Sequence, residues 1–424
     1  MIIPSIDLMD GAAVQLIGGR EKALDAGDPR PLLQRFARVG EVAVIDLDAA
    51  LGRGSNEALV AALCAQAEVR VGGGIRDERT AKAWLDRGAA RIIIGTAAAP
   101  ALLRTLPRER VIVALDAEDG DVVVDGWRKR TGRGIAERMR ELRDFAGGFL
   151  VTFVEREGRL GGTALERVGG LVEAADGARV TIAGGVTTAP EVAALDALGA
   201  DAQVGMALYT GRMDLADGFL APATSDRADG LLPTIVTDEG GVALGLVYSS
   251  RASVRAALER GRGVYQSRQR GLWEKGSGSG ATQELLRIEL DCDRDALRFV
   301  VRQAAPGFCH AGSRTCFGAE RGFAALVRSA AQVADGALVP QPGSYTARLL
   351  AERPLLAAKL REEAVELAEA TTPAEVAHEA ADVLYFTAIA MARAGVTLAA
   401  VEDELTRRAR RVTRRGGDAK EVLA

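Results

Sequence analysis

VRVGGGIRDERTAKAWLDRGA, residues 69–89, returns as VTIAGGVTTAPEVAALDALGA at residues 180–200. Each copy passes from an apolar stretch through a glycine turn into a segment with apolar positions at helical spacing, which reads as a β/α unit. The copies are offset by 111 residues (180 − 69). A second pair, IIPSIDLMDG (2–11) and VIVALDAEDG (111–120), sets Asp7 opposite Asp116 at an offset of 109. Near-equal offsets mean that one half was duplicated as a unit. Two four-strand halves make an eight-stranded (β/α)8 TIM barrel. Apolar runs at 42–48, 91–97 and 149–154 supply further strands of the kind a parallel sheet buries on both faces. A doubly wound sheet is the alternative, but no G-x-G-x-x-G follows an early strand.

The glycines then acquire a role. Gly73 and Gly74, like Gly184 and Gly185, end a strand before a helix, and Gly95 and Gly205 repeat the arrangement one unit later. Taken singly, each would only permit a tight turn. Bare backbone amides at helix N-termini also cradle phosphate, and two cradles across one mouth suit a substrate with a phosphate at each end. Asp7 and Asp116 fall at the C-terminal ends of strands 1 and 5, where barrels keep catalytic groups. A lone acidic residue there is often a helix cap; a symmetry-related pair suits acid/base work better.

A second constellation runs from DCDRD (291–295) to CHAGSRTC (309–316) and holds three of the four cysteines and one of the two histidines. Asp291, Asp293 and Asp295 alternate, so on an extended segment they would share a side opposite Cys292. Thiolates suit zinc and clustered carboxylates suit magnesium. The expectation is one zinc on Cys292, Cys309 and Cys316 with water in its fourth position, and Mg²⁺ on the three aspartates. His310 is then either the proton-transfer group or a fourth ligand that makes the zinc structural. Residues 231–250 read as a hairpin around Glu239-Gly240-Gly241, so this region is α+β.

Beyond Phe317 the pattern turns helical, with Pro340 and Pro342 breaking the first helix from the rest. Glu363 and Glu366 lie three apart on one helix, and Glu379 and Asp382 repeat the spacing on the next. Two antiparallel helices would converge these carboxylates to hold Mg²⁺ against a triphosphate. A single charged stripe is usually a solvated face, whereas the doubled motif among apolar neighbours is more specific. The basic tail RRARRVTRRGGDAK (407–420) is either a solvated end or a contact for substrate phosphates.

A formal net charge of −4 gives no argument for a nucleic-acid partner. Few cysteines outside the candidate metal site fit a reducing cytosol rather than a disulfide framework. The first residues lack a secretory pattern, and no apolar run approaches the ~18 residues of a membrane span. A soluble cytoplasmic protein without a membrane partner is expected.

Three resemblances follow from these residues. PSIDLMDG, GDP, VGGGIR, ALDAEDG, the GW at 126–127, AGGV and VGMALYTG resemble the ProFAR isomerase family of histidine biosynthesis. The resemblance implies an Amadori rearrangement of ProFAR to PRFAR, with Asp7 as general base, Asp116 as general acid and Thr152 assisting. The family's Asp-Gly-Thr after strand 6 reads Glu157-Gly158-Arg159 here, which leaves the barrel active, altered or kept as a scaffold. GLVYSSRASVRAALERGRGVYQSRQRGLWEKGSGSG (245–280), DCDRD and GFCHAGSRTCFG resemble phosphoribosyl-AMP cyclohydrolase, with Gly278 and Ala311 where that family has Thr. That likeness makes the loop carrying Arg268 and Trp273 a substrate-binding segment. SYTARLL, KLREEAVEL and EAADVLYF resemble phosphoribosyl-ATP pyrophosphohydrolase of the all-α pyrophosphatase superfamily, with Phe386 replacing a frequent His.

The expected organisation is therefore a TIM barrel over 1–226, an α+β cyclohydrolase-like domain over 229–320 and an all-α helical bundle over 322–424. Together they would form a trifunctional histidine-biosynthesis enzyme acting on phosphoribosyl nucleotides with Zn²⁺ and Mg²⁺, dimeric through its second and third domains. The alternative is a bifunctional cyclohydrolase–pyrophosphohydrolase with an inactive or regulatory barrel.

Overall fold

The computed structural model of the chain describes residues 1–414 apart from 20, 125 and 268. Eight strands form the barrel: β1 (Ile2–Met9), β2 (Val42–Asp46), β3 (Val69–Gly72), β4 (Arg91–Ile94), β5 (Val111–Glu118), β6 (Gly148–Phe153), β7 (Arg179–Ala183) and β8 (Ala200–Val204). They pair in parallel from β1 through β5, from β6 through β8, and from β8 back to β1. Pairing of β6 with β5 closes the circle, with Thr152 opposite Asp116. Ile45, Ile93, Ile112, Ala114, Leu150 and Ala183, drawn from five strands, fill the interior. The strands stop earlier than the apolar runs because the glycines lie beyond them. Gly184 and Gly185 take φ of 87° and 83°. A Cβ on Gly185 would come 2.3 Å from the Gly162 carbonyl oxygen, so only glycine fits.

The floor of the barrel is polar. Arg70, 2% exposed, donates through Nε and Nη2 to Glu41 (2.8 and 2.5 Å) and through Nη1 to Thr181 (3.1 Å). Arg70 and Thr181 are equivalent positions of the repeat, so the duplication meets itself across the barrel. Arg91 and Arg179 also pair with Glu41, and Arg179 with Asp201. A buried guanidinium is tolerated because each of these donors has a partner.

The duplication extends to elements the apolar pattern does not announce. After β1 comes a hairpin, Ala12–Ile17 with Glu21–Gly27; after β5 comes another, Asp121–Val124 with Lys129–Gly134. Their tips meet: a Cβ on Gly19 would lie 2.4 Å from the Trp127 ring.

The second domain is a four-stranded sheet of β9 (Leu232–Thr237), β10 (Ala243–Ser249), β11 (Gln283–Leu290) and β12 (Leu297–Gln303) in the order β10-β9-β12-β11. The hairpin turn expected at 239–241 is present, with Asp238 N donating to Val242 O at 3.0 Å. Helix Arg251–Arg260 carries a Ser250 cap, and the buried Tyr265 ring packs 5.2 Å from Phe299.

The helical segments are Phe323–Ala334, Tyr345–Ala351, Arg353–Glu369, Pro373–Ala394 and Leu398–Ala409, around Leu349, Leu356, Phe386 and Ile389. Phe386 is thus a core residue. Among the described residues no single helix is long and apolar enough to cross a membrane.

Contacts divide the chain into two compact units rather than three. One holds Met1–Val236, Leu246–Ala304 and the segment from Arg410; the other holds Thr237–Gly245 and Ala305–Ala409. Barrel and sheet domain share the first unit because Arg38 donates to Leu258 O (3.0 Å) and Arg255 pairs with Asp217 (2.7 Å). In the same unit Arg410 pairs with Glu68, and Asp86 accepts from the backbone N of Val412 and Thr413. Within the basic tail, Arg410, Val412 and Thr413 therefore contact the barrel, while Arg407 and Arg408 stay exposed at the end of the last helix.

Arg70→Ala should lower the stability of the barrel by roughly 1–3 kcal/mol, the cost of losing a buried hydrogen-bonded charge while Glu41 keeps Arg91 and Arg179. The check is the barrel's unfolding transition in urea.

Candidate functional site

Asp7 and Asp116 both stand at the C-terminal mouth of the barrel, near the ends of β1 and β5. Asp116 accepts from Trp127 Nε1 at 2.8 Å and from the Thr152 hydroxyl. Burial raises the Asp116 carboxyl against these two hydrogen bonds, which favour its charged form. Burial pushes the Asp7 carboxyl up to about 7. A third carboxylate joins them. Glu157 is pushed up to about 8, first by burial and then by the charges of Asp7 and Asp116. Three carboxyl groups in one walled mouth cannot all ionise, so protons are held there at neutral pH. That is the environment in which carboxyls serve as acid and base.

Loops close over this mouth. Gly18 N donates to Glu157 O at 3.2 Å, and a Cβ on Gly158 would sit 2.5 Å from Leu16 O. The Glu157-Gly158-Arg159 departure thus keeps an acidic group at its first position and the glycine that the close approach requires. Below it is a pocket of about 360 Å³, including open space, lined by Ser5, Glu157, Gly184, Gly185, Gln203 and Gly205 among others. Gly205 has the Gln15 and Ser5 side chains against it, where a Cβ would lie 2.6 and 2.8 Å from their oxygens. This is a polar cradle sized for a phosphate. Gly73, Gly74 and Gly95 occupy the repeat-related position, with Gly74 packed on Ala49. Trp127, Glu157 and Ser5 lie in stretches that motif reading quoted without giving these residues a site role of their own. Trp127 had a signal, the GW pair, but its contact to Asp116 depends on how the hairpin folds back.

The DCDRD segment departs from the expected extended form. Residues 291–296 make a tight loop between β11 and β12, in which Asp291 Oδ1 accepts from the backbone N of Asp295 and Ala296 (3.0 and 3.1 Å) and Arg294 takes φ of 66°. Ligand oxygens of Asp291, Asp293 and Asp295 still lie within 4.8 Å of one another, because the turn rather than strand alternation gathers them. An all-oxygen set of this kind fits a hard cation such as Mg²⁺.

Cys309 and Cys316 share a loop in which Gly312 N donates to Cys309 O (3.0 Å) and Cys316 N to Leu244 O (2.8 Å). Arg314 anchors that loop on the buried Asp238 at 2.9 Å. Cys292 belongs to the other unit, and among the described residues no group of close ligand atoms includes a cysteine. The fit to zinc rests on donor chemistry: three thiols are a set that zinc selects. His310 is exposed in the loop. Trp273 lies opposite Tyr265, its ring 6.1 Å away. Arg268 lies outside the described residues.

In the helical unit Glu363, Glu366 and Glu379 offer oxygens within 4.8 Å of one another. Glu363 is 5% exposed and paired to Lys359 at 2.7 Å. Desolvation and the neighbouring Glu363 and Glu379 raise the Glu366 carboxyl, with Lys359 opposing them. The set fits Mg²⁺. Asp382 stands outside this group, with His378 Nε2 3.7 Å from its carboxylate.

Three families match in order along the chain: histidine biosynthesis protein over residues 1–214, phosphoribosyl-AMP cyclohydrolase over 245–318 and phosphoribosyl-ATP pyrophosphohydrolase over 332–409. The chain is 49% identical over 209 residues to the histidine biosynthesis bifunctional protein his7 of Schizosaccharomyces pombe, covering 49% of each chain. A histidine biosynthesis trifunctional protein of Neurospora crassa is 54% identical over 196 residues, 46% of this chain and 22% of that one. The match therefore spans about half the length of the first relative and about a fifth of the second. An imidazole-4-carboxamide isomerase of Haloarcula marismortui is 40% identical over 229 residues, 50% of this chain and 93% of that protein. With the first family covering half of its residues, the chain belongs to the histidine biosynthesis protein family.

Proposed function

We propose that the chain is a trifunctional histidine-biosynthesis enzyme. Its helical segment would release pyrophosphate from phosphoribosyl-ATP, its sheet domain would open the adenine ring of phosphoribosyl-AMP, and its barrel would isomerise ProFAR to PRFAR. The observation that carries the barrel's part is the meeting of Asp7 and Asp116 at one mouth, beside the Gly184, Gly185 and Gly205 cradle.

The Amadori step needs both groups. Asp116, raised by burial and oriented by Trp127 and Thr152, would act as the acid, donating a proton to the ribose ring oxygen as the C1–O bond breaks. Asp7, ionised, would remove the C2 proton of the resulting imine, and the enolamine then collapses to the ketose. A carboxyl with its pKa near 7 is a far stronger base than an exposed one while still half ionised at neutral pH. Glu157, mostly protonated at neutral pH, would hold substrate as a hydrogen-bond donor.

In the sheet domain Cys292, Cys309 and Cys316 would hold zinc, which when bound supplies hydroxide at neutral pH. His310 would move the proton as the ring opens, and Asp291, Asp293 and Asp295 would hold Mg²⁺ on the substrate side. In the helical segment Glu363, Glu366 and Glu379 would hold Mg²⁺ against the triphosphate, with Asp382 at the rim. A homodimer would cover the exposed Val365, Val376 and Leu384 (55, 42 and 46% exposed). We place the enzyme in the cytoplasm.

Fed phosphoribosyl-ATP, the purified chain should yield phosphoribosyl-AMP, ProFAR and then PRFAR, separable by mass and ultraviolet spectrum. Accumulation of ProFAR alone would favour the inactive-barrel alternative.

Asp7→Asn and Asp116→Asn should each cut ProFAR turnover by about 10²–10⁴-fold, the usual contribution of a positioned acid or base, without touching pyrophosphate release. The pH profile follows from the raised carboxyl. Asp7 acts when ionised, so turnover should rise with pH through about 7. Glu157→Gln, which replaces a group still protonated when Asp7 titrates, should leave that inflection in place. The same group binds its proton more tightly folded than unfolded, so it costs stability as pH climbs from about 4 to about 7 and continues to do so above. Asp7→Asn should therefore melt higher than the wild type at pH 8 and alike at pH 4.

Glu366→Gln should remove pyrophosphate release while ring opening of supplied phosphoribosyl-AMP persists. Full release by this variant, assayed with Mg²⁺ in excess, would reduce the carboxylates to a solvated face.

A further inference from the structure

Within the first compact unit, the loop at 291–296 is tied to the barrel by one residue. Arg294 interrupts the aspartate triad, and its left-handed backbone is a conformation that glycine adopts without cost and arginine does not. Something must hold it there. Its backbone oxygen accepts from Thr224 N at 3.0 Å. Its Nη1 donates to Cys292 O at 3.2 Å, and its Nη2 meets Asp196 Oδ1 at 2.6 Å. Asp196 is only 12% exposed, so this is a half-buried, charge-assisted contact and not a solvated surface pair.

Asp196 sits near the end of helix Ala189–Ala197 of the barrel. The start of that helix adjoins the phosphate cradle. Thr188 and Glu191 form a capping box, and Glu191 also accepts from the backbone N of Thr163 and Thr187 (both 3.0 Å). Gly185 O in turn accepts from the Thr187 hydroxyl at 2.6 Å. One short helix, about 13 Å long at 1.5 Å per residue, thus joins the cradle to the clamp on the aspartate loop.

We propose that Arg294 is a positioning residue through which the barrel sets the geometry of the divalent-cation site on Asp291, Asp293 and Asp295. This rests on the cyclohydrolase reading of that loop. The two domains dock through other contacts as well, Arg38 to Leu258 O and Arg255 to Asp217, so loss of the clamp frees the loop without undocking the domain. The three carboxylates repel one another, and a released loop relaxes by moving them apart. Cation affinity falls as a result, while the isomerase site keeps its catalytic groups, since Asp196 meets only the far end of the helix and the start of β1, where its Oδ1 also accepts from the Met1 N-terminus at 2.9 Å.

The test uses the full chain and Mn²⁺ as probe, titrated by the loss of its free-ion paramagnetic resonance signal. Asp293→Asn identifies the class of bound Mn²⁺ that belongs to the loop. Arg294→Gly keeps the left-handed turn and removes the clamp; Asp196→Asn removes it from the barrel side. Each should weaken that class about 10-fold or more, and the double variant should be no weaker than either. Ring opening in both single variants should need more Mg²⁺ for half-maximal rate, return to the wild-type rate at saturation, and leave ProFAR turnover unchanged. Unchanged Mn²⁺ affinity and Mg²⁺ dependence in both single variants, with the loop class present, would overturn the clamp. If Asp293→Asn removes no class at all, the metal reading of the loop fails and the clamp with it. Because Asp196 lies in another domain, an effect there is not a local collapse of the loop.

Discussion

The pairing of β6 with β5 is the constraint on which the barrel's chemistry depends. An open sheet would leave the ends of β1 and β5 apart; closure sets every strand's C-terminal end around one mouth. It fixes Thr152 opposite Asp116 and brings the loop after β6, with Glu157, against the loop after β1. The floor supports this from beneath. Arg70 reaches from β3 to Thr181 on β7, so the two halves of the duplicated chain are joined by a buried hydrogen bond between equivalent positions.

A mouth of three carboxyl groups is unfavourable for folding and suits the proposed acid/base step. Desolvation dominates the rise of Asp7, Asp116 and Glu157 alike, and the charges of Asp7 and Asp116 add to the rise of Glu157. Trp127 and Thr152 act in the opposite direction on Asp116 alone. The two repeat-related aspartates thereby acquire different surroundings, which is what separates an acid from a base when the residue type is the same. Duplication produced the symmetry, and the Trp127 hairpin breaks it.

The two oxygen-rich clusters show one ligand chemistry built in two ways. In the helical segment, helix periodicity stacks Glu363 over Glu366 and an antiparallel neighbour brings Glu379. In the sheet domain a left-handed turn folds Asp291, Asp293 and Asp295 together. The first is rigid by its backbone. The second leans on contacts from outside its own hairpin, Thr224 and Asp196.

The sequence by itself determined the barrel, because two offsets near 110 residues and alternating apolar runs leave few other closed arrangements. It determined Asp7 and Asp116 as a pair, since their equivalence is a property of the repeat. It determined Glu363 with Glu366, and Glu379 with Asp382, as pairs each on one helix face, since three-residue spacing has one meaning on a helix. Tertiary structure decided what periodicity cannot carry. Trp127 and Glu157 reach the mouth only because loops 30 residues apart fold back over it. Asp382 shares the doubled motif yet lies outside the cluster, because the rotation of one helix against another is set by packing around Phe386 and Ile389. The aspartates lie in a bend and not a strand, because Asp291 closes the turn on Asp295 N and Ala296 N, and Arg294 ties that turn to a partner 98 residues away. Local pattern fixes which residues share a face; the long-range contact decides what that face meets.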